Sequence, residues 1–332
     1  MTATRKYLPH ILILLTFALH APLYACSARA STSCALQSRL QEYISGKNAR
    51  IGVAVIYDQD TVSVNGHDEF PMMSVFKFPL ALAVAQWAET NGVVLSDSIS
   101  FGPDALRRDT YSPMLDKYGP SLQSLSIQEL LKWSLMESDN NAADIILHLI
   151  GGPEAATNLM KQAGCPEAIT IGASENDLHS RPDLILLNKA TPIAMAALFH
   201  RFNTEIRHRS SSFAEIATML EQCRTGADRL AVPLLPAKAV IGHKTGTGFT
   251  TPLGGITALN DCGYVNLPDG RHYSIAVFIA DSPYSTQATA KIIADISSIV
   301  LSVLSPSSTQ NRNLGLKKYC FYTDSHPVAP AR

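Results

Sequence analysis

No run of like charges stands out in this 332-residue chain, and 27 Lys and Arg nearly balance 28 Asp and Glu, for a formal net charge of -1. Nucleic acid draws its partners through clustered positive charge, so nothing points to it here. Cysteines are few and scattered: Cys26, Cys34, Cys165, Cys223, Cys262 and Cys320 are spaced too widely and irregularly for a zinc site. No membrane-spanning helix is visible, and the apolar run near the start, Ile11 to Leu19, is too short for one.

What that run does resemble is an export signal. Arg5 and Lys6 precede it, and small residues follow around Ala25 and Ala28-Arg29-Ala30, the three-part pattern of a cleaved leader. We expect a signal peptide over residues 1–25, with cleavage as late as 30, and a periplasmic protein. Leu23-Tyr24-Ala25-Cys26 resembles a lipoprotein cleavage box that Tyr24 fits poorly, so the membrane enters only if Cys26 is lipidated. Exported cysteines meet an oxidising compartment; at most one or two bridges are expected, and the spacing does not pair them.

Hydrophobic patterning predicts the remaining organisation. Leu36 to Ser45 reads as an opening helix, Arg50 to Tyr57 as a buried strand, and Asp58-Gln59-Asp60 as a turn into a short strand, Thr61 to Val64. Helices are expected from Ser74 to about Asn91, from Ser126 to Met136 behind a capping-box spacing, from Asn141 to Ile150, from Pro192 to Phe202 and from Ser212 to Cys223. Trp87 and Trp133 are assigned to core. Residues 164–191 show little periodicity and read as a long loop, of a length usually functional or disordered. Strand signals return at Val240–Thr245, Gly254–Leu259 and Tyr273–Ala280, before a last helix at Thr286–Leu304.

Two strands cannot stand alone. The simplest assembly is an α/β (α+β) fold: one five-stranded antiparallel sheet flanked by the terminal helices, with an all-α lobe inserted. Its two lobes would comprise residues 35–71 with 226–305, and 72–225 with an omega-type loop at about 165–190; residues 306–332 would form a flexible tail.

Three short motifs carry chemistry. Ser74 and Lys77 open an almost wholly apolar helix. Residues three apart share a helix face, and a buried lysine that yields its proton beside a hydroxyl can activate a nucleophile. Ser138-Asp139-Asn140 falls in a break between helices, and Lys244-Thr245-Gly246 on a strand. Each triplet is common, but together, in this order and these contexts, they form the signature shared by class A β-lactamases and penicillin-binding proteins.

The chain resembles the class A serine β-lactamases over roughly Leu36 to Leu304. It is most similar to the extended-spectrum and cephalosporinase branch common in Bacteroidetes, through Ser74-Val75-Phe76-Lys77-Phe78-Pro79, Ser138-Asp139-Asn140-Asn141-Ala142-Ala143-Asp144 and Gly242-His243-Lys244-Thr245-Gly246-Thr247. The resemblance implies a β-lactamase/transpeptidase-like fold, a β-lactam substrate, no cofactor, no metal and a monomer. Ser74 would be acylated, Lys77 would move protons, and Ser138 would relay one to the lactam nitrogen. Asn140 would hold Lys77 and the substrate side chain. Lys244, Thr245, Gly246 and Thr247 would form the carboxylate-binding strand, and the backbone N–H groups of Ser74 and Thr247 the oxyanion hole.

Glu175, in Ser174-Glu175-Asn176-Asp177-Leu178-His179, sits where the family carries the glutamate that activates water; the alternative is a solvated surface glutamate. The chain departs from the commoner pattern at His179, where an asparagine is usual. It also departs at Ala173 and Asn188, where an arginine–aspartate pair usually braces the loop. These departures bear on water placement and loop shape. Arg229 resembles an arginine that reaches the Lys-Thr-Gly strand in part of the family, a surface arginine being the alternative. Tyr111 resembles the aromatic at the cleft mouth, and His243 would tune Lys244 or merely pack. Two other readings share the nucleophile chemistry: a penicillin-binding DD-peptidase, which usually lacks the loop glutamate, and a β-lactam-sensing domain that stays acylated, normally behind transmembrane helices.

Overall fold

The computed structural model describes residues 31–305; the expected signal segment, Cys26, Cys320 and the expected tail lie outside the described residues. Strand β1, Arg50–Tyr57, buries almost every residue, as a central strand covered on both faces must. It turns back into β2, Asp60–Val64, and pairs on its other side with β5, His272–Ser282. Strands β3, Val240–Thr247, and β4, Ile256–Asn266, complete a five-stranded antiparallel sheet in the order β2-β1-β5-β4-β3. The late strands run further than their apolar cores suggest, so the strand that begins at Val240 carries Lys244, Thr245, Gly246 and Thr247 to the sheet edge.

One face of the sheet packs on the terminal helices. Leu36 and Leu40, on a helix spanning residues 31–45, and Ile292, Ile293, Ile296 and Val300, on Thr286–Leu304, share a core with Val53, Val55, Ile275 and Val277. The closing helix is long and apolar enough to cross a membrane, with a mean hydropathy of 1.4, but its inward face is the lid of this core. The opposite face receives the helical half of the chain, centred on the helix Lys77–Asn91, in which Phe78 to Ala85 are all buried. Phe78 stacks on Phe199 at 4.1 Å and meets Phe202 edge-on. Each large apolar side chain buried this way contributes about 1.5–3 kcal/mol. Pro79 falls at the third position of that helix, within the first turn, where proline is least disruptive. Trp87 and Trp133 are partly buried and pack against the same core.

Two regions differ from the periodicity reading. Gly152–Ala163 is a helix, opened by Gly152-Pro153 immediately after the Gly151 stop and burying only Ala156, Met160 and Ala163, a stripe too small to announce itself as an apolar period. Residues 164–191 are not a plain loop. They hold a six-residue helix, Glu175–Ser180, a 3-10 segment, Pro182–Leu187, and short strands at Ile169–Ile171 and Asn188–Ala190. Those strands pair with each other, and Asn188–Ala190 pairs on its other side with Phe70–Pro71, which stitches the segment to the nucleophile turn. Elements this short cannot display a period. The helical half also carries a two-stranded ribbon, Ser98–Ser100 with Ser124–Ser126, and the capping box of Ser126 with Glu129 is formed as expected.

Cys34 is disulfide-bonded; among the described residues Cys165, Cys223 and Cys262 are free thiols.

Candidate active site

Ser74 stands on a 3-10 turn, Met73–Phe76, that runs into the long helix at Lys77. Met73 adopts a φ of 46°, costly for a residue with a side chain, and the turn is held against the sheet by Asn260. That side chain, fully buried on β4, donates to the carbonyls of Pro71 and Met72 at 2.9 and 3.0 Å. Gly246 on β3 comes so close that a Cβ there would lie 2.5 Å from the Met72 carbonyl oxygen. Only glycine lets the strand edge and the nucleophile turn meet.

Lys77 is fully buried, and its ammonium is fully partnered. Nζ donates to the Ser138 carbonyl at 2.8 Å and to Asn140 Oδ1 at 2.7 Å, and lies 2.9 Å from Glu175 Oε1. Three acceptors for three N–H bonds is the condition under which burying such a charge is tolerated. Ser74 Oγ donates to the same Glu175 oxygen at 3.2 Å. The hydroxyl and the amine thus converge on Glu175, which bridges the Ser-x-x-Lys pair from 101 residues away in sequence.

Ser138 has a φ of 61°, and its strained turn aims the side chain at the strand. Its Oγ accepts from Lys244 Nζ at 2.9 Å, which also donates to the Thr245 carbonyl at 2.9 Å. Burial pushes the Lys244 ammonium down, Lys77 and Arg229 add to this, and Cys223 and Asp261 oppose it, leaving it at about 7. Asp139, fully buried, caps the helix Asn140–Leu149 at the Ala142 N–H and accepts from Ser112 Oγ and the Met114 N–H. Asn140 completes the corner by donating to Thr110 Oγ1 at 2.9 Å.

Arg229 is buried rather than on the surface. It donates to the carbonyls of Gly246 and Asn260 and to Thr247 Oγ1, at 3.1, 2.8 and 2.7 Å. Tyr111, 58% exposed, borders the opening. His179 faces Asp109, with 3.3 Å between Nε2 and Oδ2. Ser74, Tyr111, Ser138, Glu175, Thr245 and Thr247 all line one cleft of about 390 Å³, with Lys77 and Lys244 buried beneath it. A larger cavity of about 690 Å³ lies elsewhere, beside Arg107, Asp144 and His148, and includes none of the predicted site residues.

The brace of the Glu175 segment was not legible in the motifs. Asn188, fully buried, accepts from the N–H groups of Gly172 and Ala173 at 2.9 and 3.0 Å and donates to the Ala173 carbonyl, pinning both ends of the segment together in place of an ion pair. Asp144 accepts from the N–H groups of Glu175 and Asn176 at 2.7 and 2.9 Å. Burial raises its carboxyl to about 6, against the pull of those two bonds. Ser174 and Asp177 cap the short helix reciprocally. Phe249, which also lines the cleft, carried no sequence signal. Asp144 lay inside a quoted motif and Asn188 at a noted position, so burial of short polar side chains there was the available hint.

His243 is buried with Nδ1 2.8 Å from Asp261 Oδ1. Burial pushes the imidazole down, but the Asp261 charge and hydrogen bond, with those of Cys223, raise it to about 10.

Comparison with known proteins gives this geometry a family. Residues 35–304 match the model of the β-lactamase enzyme family. A β-lactamase of Bacteroides uniformis is 34% identical over 284 residues, covering 84% of this chain and 95% of the relative. Among solved structures, a class A β-lactamase from Bacteroides cellulosilyticus superposes with a TM-score of 0.77 at 33% identity, covering 82% of this chain and 98% of its own. The TLA-1 extended-spectrum β-lactamase superposes with a TM-score of 0.78 at 33% identity, covering 82% and 99%. The chain belongs to the β-lactamase enzyme family, in its class A serine branch.

Proposed function

We propose that the protein hydrolyses cephalosporins and penicillins, and so confers resistance to them, through an acyl-enzyme on Ser74. Ser74 Oγ attacks the lactam carbonyl as its proton passes to Lys77, while the backbone N–H groups of Ser74 and Thr247 take the developing oxyanion charge. Lys77 hands a proton on to Ser138, which delivers its own to the lactam nitrogen as the C–N bond breaks, so that the step leaves the charge of neither lysine nor of Glu175 altered. Glu175 then removes a proton from water, which attacks the ester carbonyl, and returns that proton to Ser74 Oγ as the ester bond breaks. Lys244, Thr245, Thr247 and Arg229 engage the substrate carboxylate, Asn140 its side-chain amide, and Tyr111 and His179 the cleft mouth. Gly246 keeps the strand close enough to the nucleophile for both to touch one substrate.

The observation that carries this reading is the convergence of Ser74 Oγ and Lys77 Nζ on one oxygen of Glu175, at 3.2 and 2.9 Å. A carboxylate within reach of the acylated oxygen is what hydrolysis requires beyond acylation. The test is turnover of a chromogenic cephalosporin together with mass spectrometry. Ser74→Ala should abolish turnover. Stoichiometric acylation of the unaltered protein without turnover would support the peptidase or sensor instead, and rapid hydrolysis by Glu175→Ala would mean that another base acts. The cleft also supports a two-lobed organisation, residues 35–71 with 226–305 against 72–225, and the family supports export to the periplasm as a monomer, with a lipid anchor only if Cys26 is modified.

A further inference from the structure

The turn that follows the helix Ser211–Glu221 carries a thiol for which the reaction above has no use. Cys223 is partly exposed and free. Its sulfur lies 3.7 Å from the Thr225 carbonyl oxygen and 3.4 Å from Thr225 Oγ1, and beside it stands His243, whose ring is held by the fully buried Asp261 at 2.8 Å. Asp261 is itself fixed by the Leu230 N–H at 3.2 Å. A thiol beside an imidazolium that a buried carboxylate orients and keeps charged is an arrangement that activates thiols, and here it lies against the Lys244–Thr245 strand.

From this arrangement we propose that Cys223 is a covalent modification site, a thiolate that exchanges with small-molecule disulfides and whose occupation disturbs the neighbouring carboxylate-binding strand. Burial pushes the thiol up, but the hydrogen bond and charge of His243, with Lys244, bring it down to about 7. Burial instead raises Cys165 to about 12 and holds Cys262 well above the ordinary thiol range. The exchange balances within the named partners. The Cys223 sulfur attacks one sulfur of the disulfide, a new S–S bond forms as the old one breaks, and the displaced half leaves as a thiolate. The attacking form is the thiolate, which has lost its proton to solvent as pH rises through about 7 beside a His243 ring that is still protonated.

Occupation reaches the strand because the turn has no slack. Cys223 Sγ lies 3.4 Å from Thr225 Oγ1, which lies 2.6 Å from Thr245 Oγ1. Gly226, at a φ of 74°, sits where a Cβ would come within 2.4 Å of Thr245 Cγ2, and the Arg229 N–H is bonded to its carbonyl. An adduct larger than a methyl group must push this turn, and with it Thr245 and Arg229. This second half of the proposal rests on those residues binding the substrate carboxylate.

The experiment treats the folded protein with dithiobis-nitrobenzoate at neutral pH, follows the released thiolate, maps the adduct by peptide mass spectrometry and assays cephalosporin turnover before and after. One fast equivalent should map to Cys223, with a pH–rate midpoint near 7, while Cys165 and Cys262 react only after denaturation. KM should rise about ten-fold, the effect of losing a hydrogen bond to a charged group, with kcat changed less and a reductant restoring both. His243→Gln should slow labelling about ten-fold at neutral pH by returning the thiol to its ordinary range. A first adduct elsewhere, no fast equivalent, or an ordinary thiol pH profile in the unaltered protein would overturn the site. Full labelling of Cys223 with KM unchanged would overturn the coupling. Absence of turnover before labelling would count against the lactamase reading, and the labelling data would still decide the site.

Discussion

The two walls that meet at Ser74 are built differently. The sheet wall, Lys244 to Thr247 on β3, is continuous antiparallel ladder backed by Asn260, Asp261 and Arg229, all buried. The loop wall is a six-residue helix, Glu175–Ser180, too short to hold itself in water, so its position depends on Asp144, Asn188 and the Ser174 cap. The sheet wall binds and acylates; the loop wall determines whether the acyl group leaves. The first is rigid because its hydrogen bonds are also those of the core. The second can be loosened without unfolding the protein.

That contrast can be broken from either side. Ser74→Ala removes what both walls serve and should have the largest effect, lowering kcat/KM by about 10⁴-fold or more with little change in melting temperature. Asn188→Ala leaves the Ala173 N–H without its buried partner, and the Gly172 N–H with only the Leu187 carbonyl at 3.1 Å, and should destabilise by about 1–3 kcal/mol. Burst kinetics should show deacylation slowed more than acylation, and equal slowing of both would deny that the loop wall is separate. Arg229→Ala acts on the sheet wall alone and should raise KM for an anionic β-lactam about ten-fold while leaving deacylation unchanged. The smallest effect is one of pH. Lys244 loses its proton as pH rises through about 7, so kcat/KM for a carboxylate-bearing substrate should fall on the alkaline side. A profile flat from pH 7 to 9 would show that Lys244 keeps its charge in the free enzyme and would overturn this prediction.

The sheet wall was the more legible one in the sequence. Lys244 and Thr245 lie in a short motif on a strand long enough to show its period, and the antiparallel sheet follows from strands that need partners; Ser74, Lys77, Ser138 and Asn140 were legible for a related reason, since their motifs stand at the starts of long helices. The loop wall was not, because its helix and strands are each only three to six residues long and it is held by single polar side chains whose burial no pattern reports. Asn188 looked like a missing ion pair and is a three-bond brace. The Cys223, His243 and Asp261 cluster was equally hidden. Register sets Thr245 opposite Asp261 and His243 opposite Gly263, so the histidine and aspartate are diagonal neighbours on adjacent strands, a relation that exists only once the sheet is formed.

The most direct test of the division of labour is Glu175→Gln, an isosteric change that removes the base and keeps the packing. A cephalosporin mixed with this variant and sampled by mass spectrometry should give an acyl adduct on Ser74 that forms quickly and persists, with deacylation slowed about 10²–10⁴-fold, the range of a lost general base. Loss of turnover without an accumulating adduct would contradict the account, since Glu175 would then be needed to form the acyl-enzyme rather than to release it.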